Sequence, residues 1–321
     1  MIDEYIRKNL NNTLNETNFP FGMLYRGKVR DSYVINGNRV IISTDRISAF
    51  DRILGTIPLK GQVLNQLSAF WFEKTSGIVN NHMNEIIDPN VMVVKECKTI
   101  PIEVVVRAYI TGVTKTSLWY NYNLGVRNFC GNALPDGLRK DQKLDKIIIT
   151  PTTKSHEHDR PISREEIIKE GIISQETFDR MAEMSLALFK FGSRLVSKNG
   201  LILVDTKYEF GECDGEIFVI DEVHTPDSSR FWFADSYEEL FERGEPQKEL
   251  DKEYLRRWLA NQGFLGDGTP PALSEEVMIE AAKRYIKAFE LITGDDFNIL
   301  YEDIVERITN NLTKAGFYGR I

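Results

Sequence analysis

Apolar and polar positions alternate early in the chain and adopt a helical spacing later. Residues 23–44 read as short β-rich runs, and an Asn-Gly pair at residues 36–37 divides two of them. This pattern predicts a β-hairpin, since Asn-Gly favours the tight turn that joins antiparallel strands. Further along, apolar side chains recur every three or four positions, as on one face of a helix. Helices are therefore expected at residues 61–75, 174–198, 251–258, 274–293 and near 299–312.

This order of elements predicts an α+β fold with two lobes. Hairpins come first, mixed strands and helices follow, and helices close the chain. We expect a sheet-rich lobe with a kinase-like flap at residues 1–110. A larger α+β lobe at residues 111–321 would hold the metal and substrate sites and the C-terminal helices. A ligand site is expected in the cleft between two such lobes.

Residues 201–230 carry the densest pattern of candidate chemistry. Two β-rich runs flank a turn of Gly and Asp, which predicts a second hairpin. Period-two alternation places Asp205, Lys207 and Glu209 on one face of its first strand. A connecting loop with an odd number of residues brings Asp221 to that face, and an even number brings Glu222. The sequence leaves this register open.

These charged side chains fit two interpretations. Carboxylates at the end of an apolar strand are oxygen ligands for a hard cation such as Mg²⁺, which holds nucleotide phosphates. A lysine between them supplies a positive charge for a phosphate. Alternatively, the hairpin lies at the surface and its charges form cross-strand ion pairs.

A basic turn near the start of the chain is a second candidate. Residues 22–28 match the first seven positions of a phosphate-loop motif, but Val29 stands where the motif needs Ser or Thr. A strand is also expected after the turn where the motif needs a helix, so the phosphate-loop interpretation fails. What remains is a strand–turn–strand flap with Lys28 and Arg30, able to close over phosphates, or an ordinary basic turn.

Other polar groups have two interpretations each. Arg107 ends an apolar run, as either an anion clamp or a core-edge ion pair. Asp45 and Asp51 follow an apolar strand, where loops carry binding groups or cap their own backbone. His156 and His158 have no further Cys or His at ligand spacing, which favours a polar loop over a zinc site.

Composition and charge narrow the class of protein. The chain has 321 residues, 42% of them hydrophobic and 27% charged, as in ordinary globular proteins. Its net charge of −8 argues against nucleic acid as a partner. Three widely spaced cysteines indicate neither disulfides nor a metal motif. No apolar run reaches the ~18 residues of a membrane span, so we expect a cytoplasmic protein without a membrane partner. The oligomeric state is not indicated.

Several segments together resemble the SAICAR synthetase family, in its longer form. The likeness runs in order from about residue 20 to about residue 260 and extends to a polar loop at 150–159. The most specific pieces are Val-Asp-Thr-Lys-Tyr-Glu-Phe-Gly at 204–211 and the strand that ends in Arg107. The segments that carry the resemblance are residues 27–31, 43–51, 101–107, 201–211 and 221–230.

The resemblance implies a reaction and its ligands. ATP, L-aspartate and carboxyaminoimidazole ribonucleotide (CAIR) would give the succinocarboxamide SAICAR, ADP and phosphate, in purine biosynthesis. The implied route phosphorylates the CAIR carboxylate, and the aspartate amine then attacks the acyl phosphate. Mg²⁺ is the implied cofactor, ATP is a co-substrate, and all partners are small molecules.

The resemblance also implies roles for individual residues. The implied metal ligands are Glu209 and Asp221, and the implied catalytic residues are Asp205 and Lys207. The implied ATP-binding residues are Gly27, Lys28, Val29, Arg30, Glu103 and Lys207. The implied substrate-binding residues are Asp45, Asp51, Arg107, Lys154, Arg230 and Arg256.

One position departs from the family pattern. Val113 stands where the family commonly has a serine that contacts the substrate phosphate. Either Thr111 or Thr114 supplies that hydroxyl, or the contact is lost.

Overall fold

A computed structural model describes residues 2–50, 52–154, 159–250, 252–266, 268–300 and 303–317. Asp51, His156 and His158 lie outside the described residues. The strands are β1 (Met23–Arg26), β2 (Arg30–Ile35), β3 (Asn38–Ser43), β4 (Arg46–Ala49), β5 (Arg52–Thr56), β6 (Met83–Asp88), β7 (Val91–Lys95), β8 (Lys98–Thr99), β9 (Ile102–Ile110), β10 (Asn128–Phe129), β11 (Asn132–Ala133), β12 (Gln142–Ile149), β13 (Thr152–Thr153), β14 (Leu201–Cys213), β15 (Glu216–Ile220) and β16 (Ser229–Phe233). The helices are α1 (Ile2–Lys8), α2 (Lys60–Thr75), α3 (Leu118–Asn123), α4 (Arg164–Lys169), α5 (Gln175–Ser197), α6 (Ala234–Arg243), α7 (Glu253–Asn261), α8 (Glu275–Thr293) and α9 (Ile304–Lys314).

The first sheet has the strand order β1-β2-β3-β7-β6. The predicted Asn-Gly hairpin is confirmed, because β2 pairs with β3 and Ile35 lies opposite Asn38. Asn36 and Gly37 make this turn with positive φ angles of 50° and 76°. Alternation along β3 gives the sheet two apolar faces. Ile41 belongs to the main core with α2, whereas its neighbour Ile42 belongs to a smaller core with α9.

The second sheet has the path β12-β9-β14-β15, and β16, β8 and β13 pair onto it. Its longest strand, β14, divides its side chains between two faces. Val204, Tyr208 and Phe210 are fully buried in the main core, which also contains apolar side chains of α5. The intervening side chains of β14 carry the charges predicted from the sequence, so α5 supports the charged face from behind.

The main helices occur where apolar periodicity predicts them. Ser174 and Ser274 begin α5 and α8, since each side chain accepts a hydrogen bond from the backbone N–H three residues on. The last helix begins at Ile304, several residues later than predicted, because Asp303 caps it. None of the helices in the described ranges combines the length and the apolar character that crossing a membrane requires.

The predicted α+β class is confirmed, whereas the predicted lobe boundary stays a prediction. β9 lies within residues 1–110, yet it pairs with β12 and β14 of the second sheet. The main core also includes side chains from both sheets and from α2, α5 and α8. The change from the first sheet to the second therefore falls between β7 and β8.

Helix α5 approaches the loop after β15 closely at Gly192. A Cβ atom at this position would lie 2.3 Å from Cε1 of His224. His224 is fully buried, packs edge-on against Trp71 and hydrogen-bonds to the Tyr208 hydroxyl. Burial lowers the pKa of His224 to about 3, so its ring is neutral.

We expect Gly192→Ala to destabilise the fold by about 1–3 kcal/mol, because the methyl group overpacks this contact. Urea denaturation measures the free energy of unfolding. Gly77→Ala is the matched control, since its Cβ would meet no atom within 4 Å. Equal stability of the two variants would contradict the close packing at Gly192.

Candidate active site

The charged face of β14 forms the floor of the site. Asp205, Lys207 and Glu209 point to one side, as the alternation predicts. Residues two apart on a strand are separated by about 6.7 Å, so Asp205 and Glu209 stand about 13 Å apart along β14. The two ends of this face have different neighbours and different chemistry.

At one end, three strands contribute an arginine–aspartate–arginine row. Asp205 lies opposite Arg107 of β9 on one side and opposite Arg230 of β16 on the other. Oδ2 of Asp205 accepts a hydrogen bond from Arg107 at 2.8 Å and another from Arg230. One carboxylate thus stands between two guanidinium groups, and the row keeps a net charge of +1. Such a row suits an anion, because guanidinium groups bind phosphate and carboxylate in a planar, forked geometry.

At the other end, two lysines and two glutamates form a compact ionic group. Lys207 Nζ donates to Glu103 at 2.8 Å and also contacts Glu209, which in turn contacts Lys154. Burial opposes the charge of Lys207, but Glu209 and Glu103 raise its pKa well above the usual value. Burial would raise the pKa of Glu209, yet Lys207 and Lys154 lower it far below the usual range. Glu209 is therefore ionised throughout the physiological range.

The β14–β15 hairpin ends in two more acids. Cys213 lies opposite Glu216, so the turn has two residues and the register favours Glu222 over Asp221 on the charged face. The ladder stops at Ile220, however, and Asp221 has a φ of 69°, which breaks the alternation. Both acids consequently turn toward one cation.

That cation is Arg30 of the predicted flap. Its two Nη atoms donate to Asp221 at 2.5 Å and to Glu222 at 2.7 Å. Burial opposes the charge of Arg30, but Asp221 and Glu222 raise its pKa above the usual value. The flap is the turn between β1 and β2, with Arg26 opposite Asp31, and Lys28 is exposed at its tip. The structure thus brings the flap and the end of the hairpin together.

Apolar side chains line the wall beside the ionic group. Cys97, Phe218 and Ile220 form a small buried cluster on the same side as Glu209. A Cβ atom at Gly211 would lie 2.7 Å from that of Cys97. Glycine therefore permits the segment between β7 and β8 to approach β14 closely. Cys97 lies in the short segment between β7 and β8, so this segment forms part of the wall.

Other predicted residues lie deeper or on neighbouring elements. Asp45 is 1% exposed, and its two oxygens accept the backbone N–H groups of Leu14 and Gly61. Burial raises the pKa of Asp45 to about 6, although those two hydrogen bonds act to lower it. Arg256 lies on α7, four residues after Lys252 and therefore on the same face of the helix. The assignments of Asp45 and Arg256 to substrate stay predictions.

Sequence patterns did not reveal a buried ionic cluster beside the site. Lys60 is fully buried, and its Nζ lies 3.0 Å from Asp227 Oδ2, at ion-pair distance but outside hydrogen-bond geometry. Asp227 also contacts Lys252 at 2.8 Å and accepts the Tyr285 hydroxyl at 2.5 Å. Burial lowers the pKa of Lys60, because its ammonium loses water. This cluster joins α2, α7 and α8 to the segment that leads to Arg230.

Near Arg230, one of the two predicted hydroxyl donors already has a partner. The Thr111 hydroxyl donates to Asp141 at 2.5 Å, whereas Val113 is 53% exposed. A Cβ atom at Gly112 would lie 2.9 Å from Arg230 Nη2 and 3.0 Å from Ser117 Oγ. Ser117 is thus a third hydroxyl beside the arginine row, missed because it lies five residues beyond Gly112 in sequence.

The donor set fits Mg²⁺ when a phosphate ligand completes it. Over the described ranges, no three His, Cys, Asp or Glu side chains are grouped to hold a metal ion. Mg²⁺ in nucleotide sites commonly uses only one or two carboxylates, with phosphates and water as the other ligands. Glu209 and Asp221 supply hard oxygens of this kind. In the structure Glu209 pairs with Lys154, and Asp221 pairs with Arg30.

Comparisons with known proteins identify the family. A model of the SAICAR synthetase family matches residues 23–269. A phosphoribosylaminoimidazole-succinocarboxamide synthase from Legionella pneumophila is 48% identical over 307 residues, which cover 94% of this chain and 98% of that protein. The chain belongs to the SAICAR synthetase family. The predicted resemblance is therefore confirmed, as is the prediction that the chain is an enzyme, a ligase of this family.

Further SAICAR synthetases extend the likeness. The chloroplastic phosphoribosylaminoimidazole-succinocarboxamide synthase of Arabidopsis thaliana is 49% identical over 319 residues, which cover 97% of this chain and 78% of that protein. The SAICAR-synthase of Saccharomyces cerevisiae, solved in complex with SAICAR, superimposes with a TM-score of 0.77 at 32% identity, over 89% of this chain and all of that one. A SAICAR synthetase solved in complex with ADP shares the fold, with a TM-score of 0.66 at 23% identity, over 86% of this chain and all of that one.

Proposed function

We propose that this chain joins L-aspartate to CAIR, consuming ATP and releasing SAICAR, ADP and phosphate. Membership of the SAICAR synthetase family supports the reaction, and the S. cerevisiae relative was solved with SAICAR. The observation that best supports the proposal is that the two ends of the charged face of β14 differ in chemistry. It offers an anion-binding arginine row at one end and a carboxylate–lysine group at the other.

In the proposed arrangement, the arginine row binds an anionic group of the ribonucleotide. Arg107 and Arg230 come from strands on opposite sides of β14, and Asp205 orients both guanidinium groups. This makes Asp205 a positioning residue rather than a group that takes part in the chemistry. A net charge of +1 favours a phosphate or carboxylate without burying a large excess of positive charge.

ATP is proposed to lie between the flap and the ionic group of β14. Its base would contact the wall of Cys97, Phe218 and Ile220, with Glu103 near the ribose. Its phosphates would face Lys28 of the flap and Lys207. Mg²⁺, held by Glu209 and Asp221, would neutralise phosphate charge when it is bound.

The proposed chemistry activates a carboxylate that is otherwise a poor electrophile. An oxygen of the CAIR carboxylate attacks the γ-phosphorus of ATP, and the bond from that phosphorus to the ADP oxygen breaks. The aspartate amine then attacks the acyl carbon, loses a proton, and expels phosphate together with that carboxylate oxygen. Lys207 stabilises the charge on the transferred group, and the protein otherwise contributes by positioning the reactants.

Oxygen tracing tests the acyl-phosphate route. With CAIR labelled with ¹⁸O in its carboxylate, we expect each phosphate released to contain one ¹⁸O atom, since the bridging oxygen leaves with phosphorus. Mass spectrometry of the phosphate measures this label. Unlabelled phosphate would exclude the acyl phosphate, even if SAICAR is formed.

An assay that omits one substrate at a time tests the overall reaction. Phosphate release is expected only when CAIR, L-aspartate and ATP are all present. A kinase of a small metabolite would instead leave the phosphoryl group stably attached to its substrate, and a nucleotide-binding protein would release none. Either outcome would contradict the proposed ligation.

A further inference from the structure

We propose that Arg46 is a positioning residue that shapes the flap for the nucleotide phosphates. This inference rests on the proposed function, since it takes the flap as the phosphate-binding turn. Arg46 begins β4 and lies between Asp45 and Asp51, the two acids that the sequence analysis singled out. Its side chain is only 4% exposed, so it acts through the groups it holds and does not contact ligand.

The guanidinium of Arg46 binds the main chain of the flap. Nε donates to the carbonyl of Lys28 at 3.1 Å, and Nη2 donates to the carbonyl of Gly27 at 3.0 Å. The next carbonyl, of Val29, accepts the N–H of Thr44 at 3.1 Å and its hydroxyl at 2.8 Å. Three successive carbonyl groups of the turn are therefore held by the Thr44–Arg46 segment.

This arrangement fixes the direction of the peptide N–H groups. In a trans peptide, the N–H points away from the C=O of the same peptide plane. With the carbonyls of Gly27 and Lys28 turned toward Arg46, the N–H groups of Lys28 and Val29 point to the opposite side. Successive N–H groups on one side of a turn form a concave site that favours anions. Arg46 thus preorganises the backbone that a triphosphate would meet.

A buried carboxylate holds Arg46 in place. Asp31, which is fully buried, accepts Arg46 Nη2 at 2.7 Å and the backbone N–H of Thr17 at 2.7 Å. Arg46 Nη1 also donates to the carbonyl of Asn15. The guanidinium therefore joins the segment before β1, the flap and the start of β4. An ammonium group has no planar fork, so lysine cannot reproduce this set of contacts.

Arg46→Lys tests the proposal, because it keeps the charge beside Asp31 and loses the forked bonds to the flap. We expect KM for ATP to rise about tenfold, with KM for CAIR and L-aspartate and kcat at saturating ATP nearly unchanged. Thr44→Val removes only the hydroxyl bond to Val29, and a smaller rise in the same constant is expected. This second variant keeps the test available if Arg46→Lys does not fold.

Arg307→Lys is the matched control. Arg307 is 6% exposed and pairs with buried Asp88, but it lies on α9, beneath the first sheet. The Arg307→Lys variant should lower the melting temperature about as much as Arg46→Lys does, and it should leave KM for ATP unchanged. The proposal is overturned if Arg46→Lys raises KM for ATP no more than this control does, or raises all three KM values equally.

Calorimetric titration with ADP separates this inference from the proposed reaction. A wild-type chain that binds ADP but makes no SAICAR would contradict the ligation, and weaker ADP binding in Arg46→Lys would still support the role of Arg46. A wild-type chain that does not bind ADP would overturn both proposals.

Discussion

Glu209→Gln is expected to lower kcat/KM about a thousandfold while leaving the fold intact. The amide has the shape of the carboxylate, but it lacks the charge that Lys207 and Lys154 face and the ionised oxygen that Mg²⁺ prefers. Lys207 keeps its bond to Glu103, so no isolated charge is left buried. Steady-state kinetics at saturating Mg²⁺ and thermal denaturation measure the two effects.

Asp221→Asn should act through the same proposed metal site. Because its side chain is more exposed than that of Glu209, we expect a higher Mg²⁺ concentration at half-maximal activity as well as a lower kcat. Glu212→Gln is the matched control on the same strand, since Glu212 is exposed on the opposite face of β14. Turnover close to that of wild type in Glu209→Gln would rule out its proposed role.

Arg230→Ala is expected to weaken CAIR binding about 10- to 100-fold and to change ATP binding little. The substitution removes one of the two guanidinium groups of the row, and Asp205 stays paired with Arg107. The fold is therefore retained, while the row loses its net positive charge. Binding constants from isothermal titration, measured separately for CAIR and ADP, test this asymmetry.

Arg243→Ala provides the comparison for Arg230→Ala, since Arg243 forms an exposed pair with Glu239 one turn away on α6. Such a pair contributes little, and neither ligand should bind differently. Equal losses for CAIR and ADP in Arg230→Ala would show that the row does not distinguish the two ligands.

Local sequence signals predicted much of the fold. The Asn36-Gly37 turn and the helices capped by Ser174 and Ser274 depend on neighbouring residues, and each was confirmed. The sheet assignment of β9 depends instead on residues 205–208, about a hundred positions away. Periodicity shows that a strand is buried, but it does not show which strand lies beside it.

In the candidate site, too, the sequence predicted what depends on neighbouring residues and missed the contacts between distant ones. Alternation predicted that Asp205, Lys207 and Glu209 share a face, because this follows from the strand itself. It did not predict that Arg30 pairs with both Asp221 and Glu222, since 191 residues separate Arg30 from Asp221. The positive φ of Asp221 also ends the alternation on which the register argument depended. Lys60 gave no signal, because a lysine at the start of a helix is ordinary in sequence.

The arginine–aspartate–arginine row also constrains how the sheet assembles. Its three members come from β9, β14 and β16, so they meet only when all three strands are aligned correctly. Sliding β9 or β16 by a single residue would turn its arginine toward the apolar layer packed on α5. Sliding β14 would bury Asp205 there and leave both arginines without it. Misaligned intermediates are therefore disfavoured during folding. The residues proposed to bind the ribonucleotide thus also favour the correct alignment of the three strands.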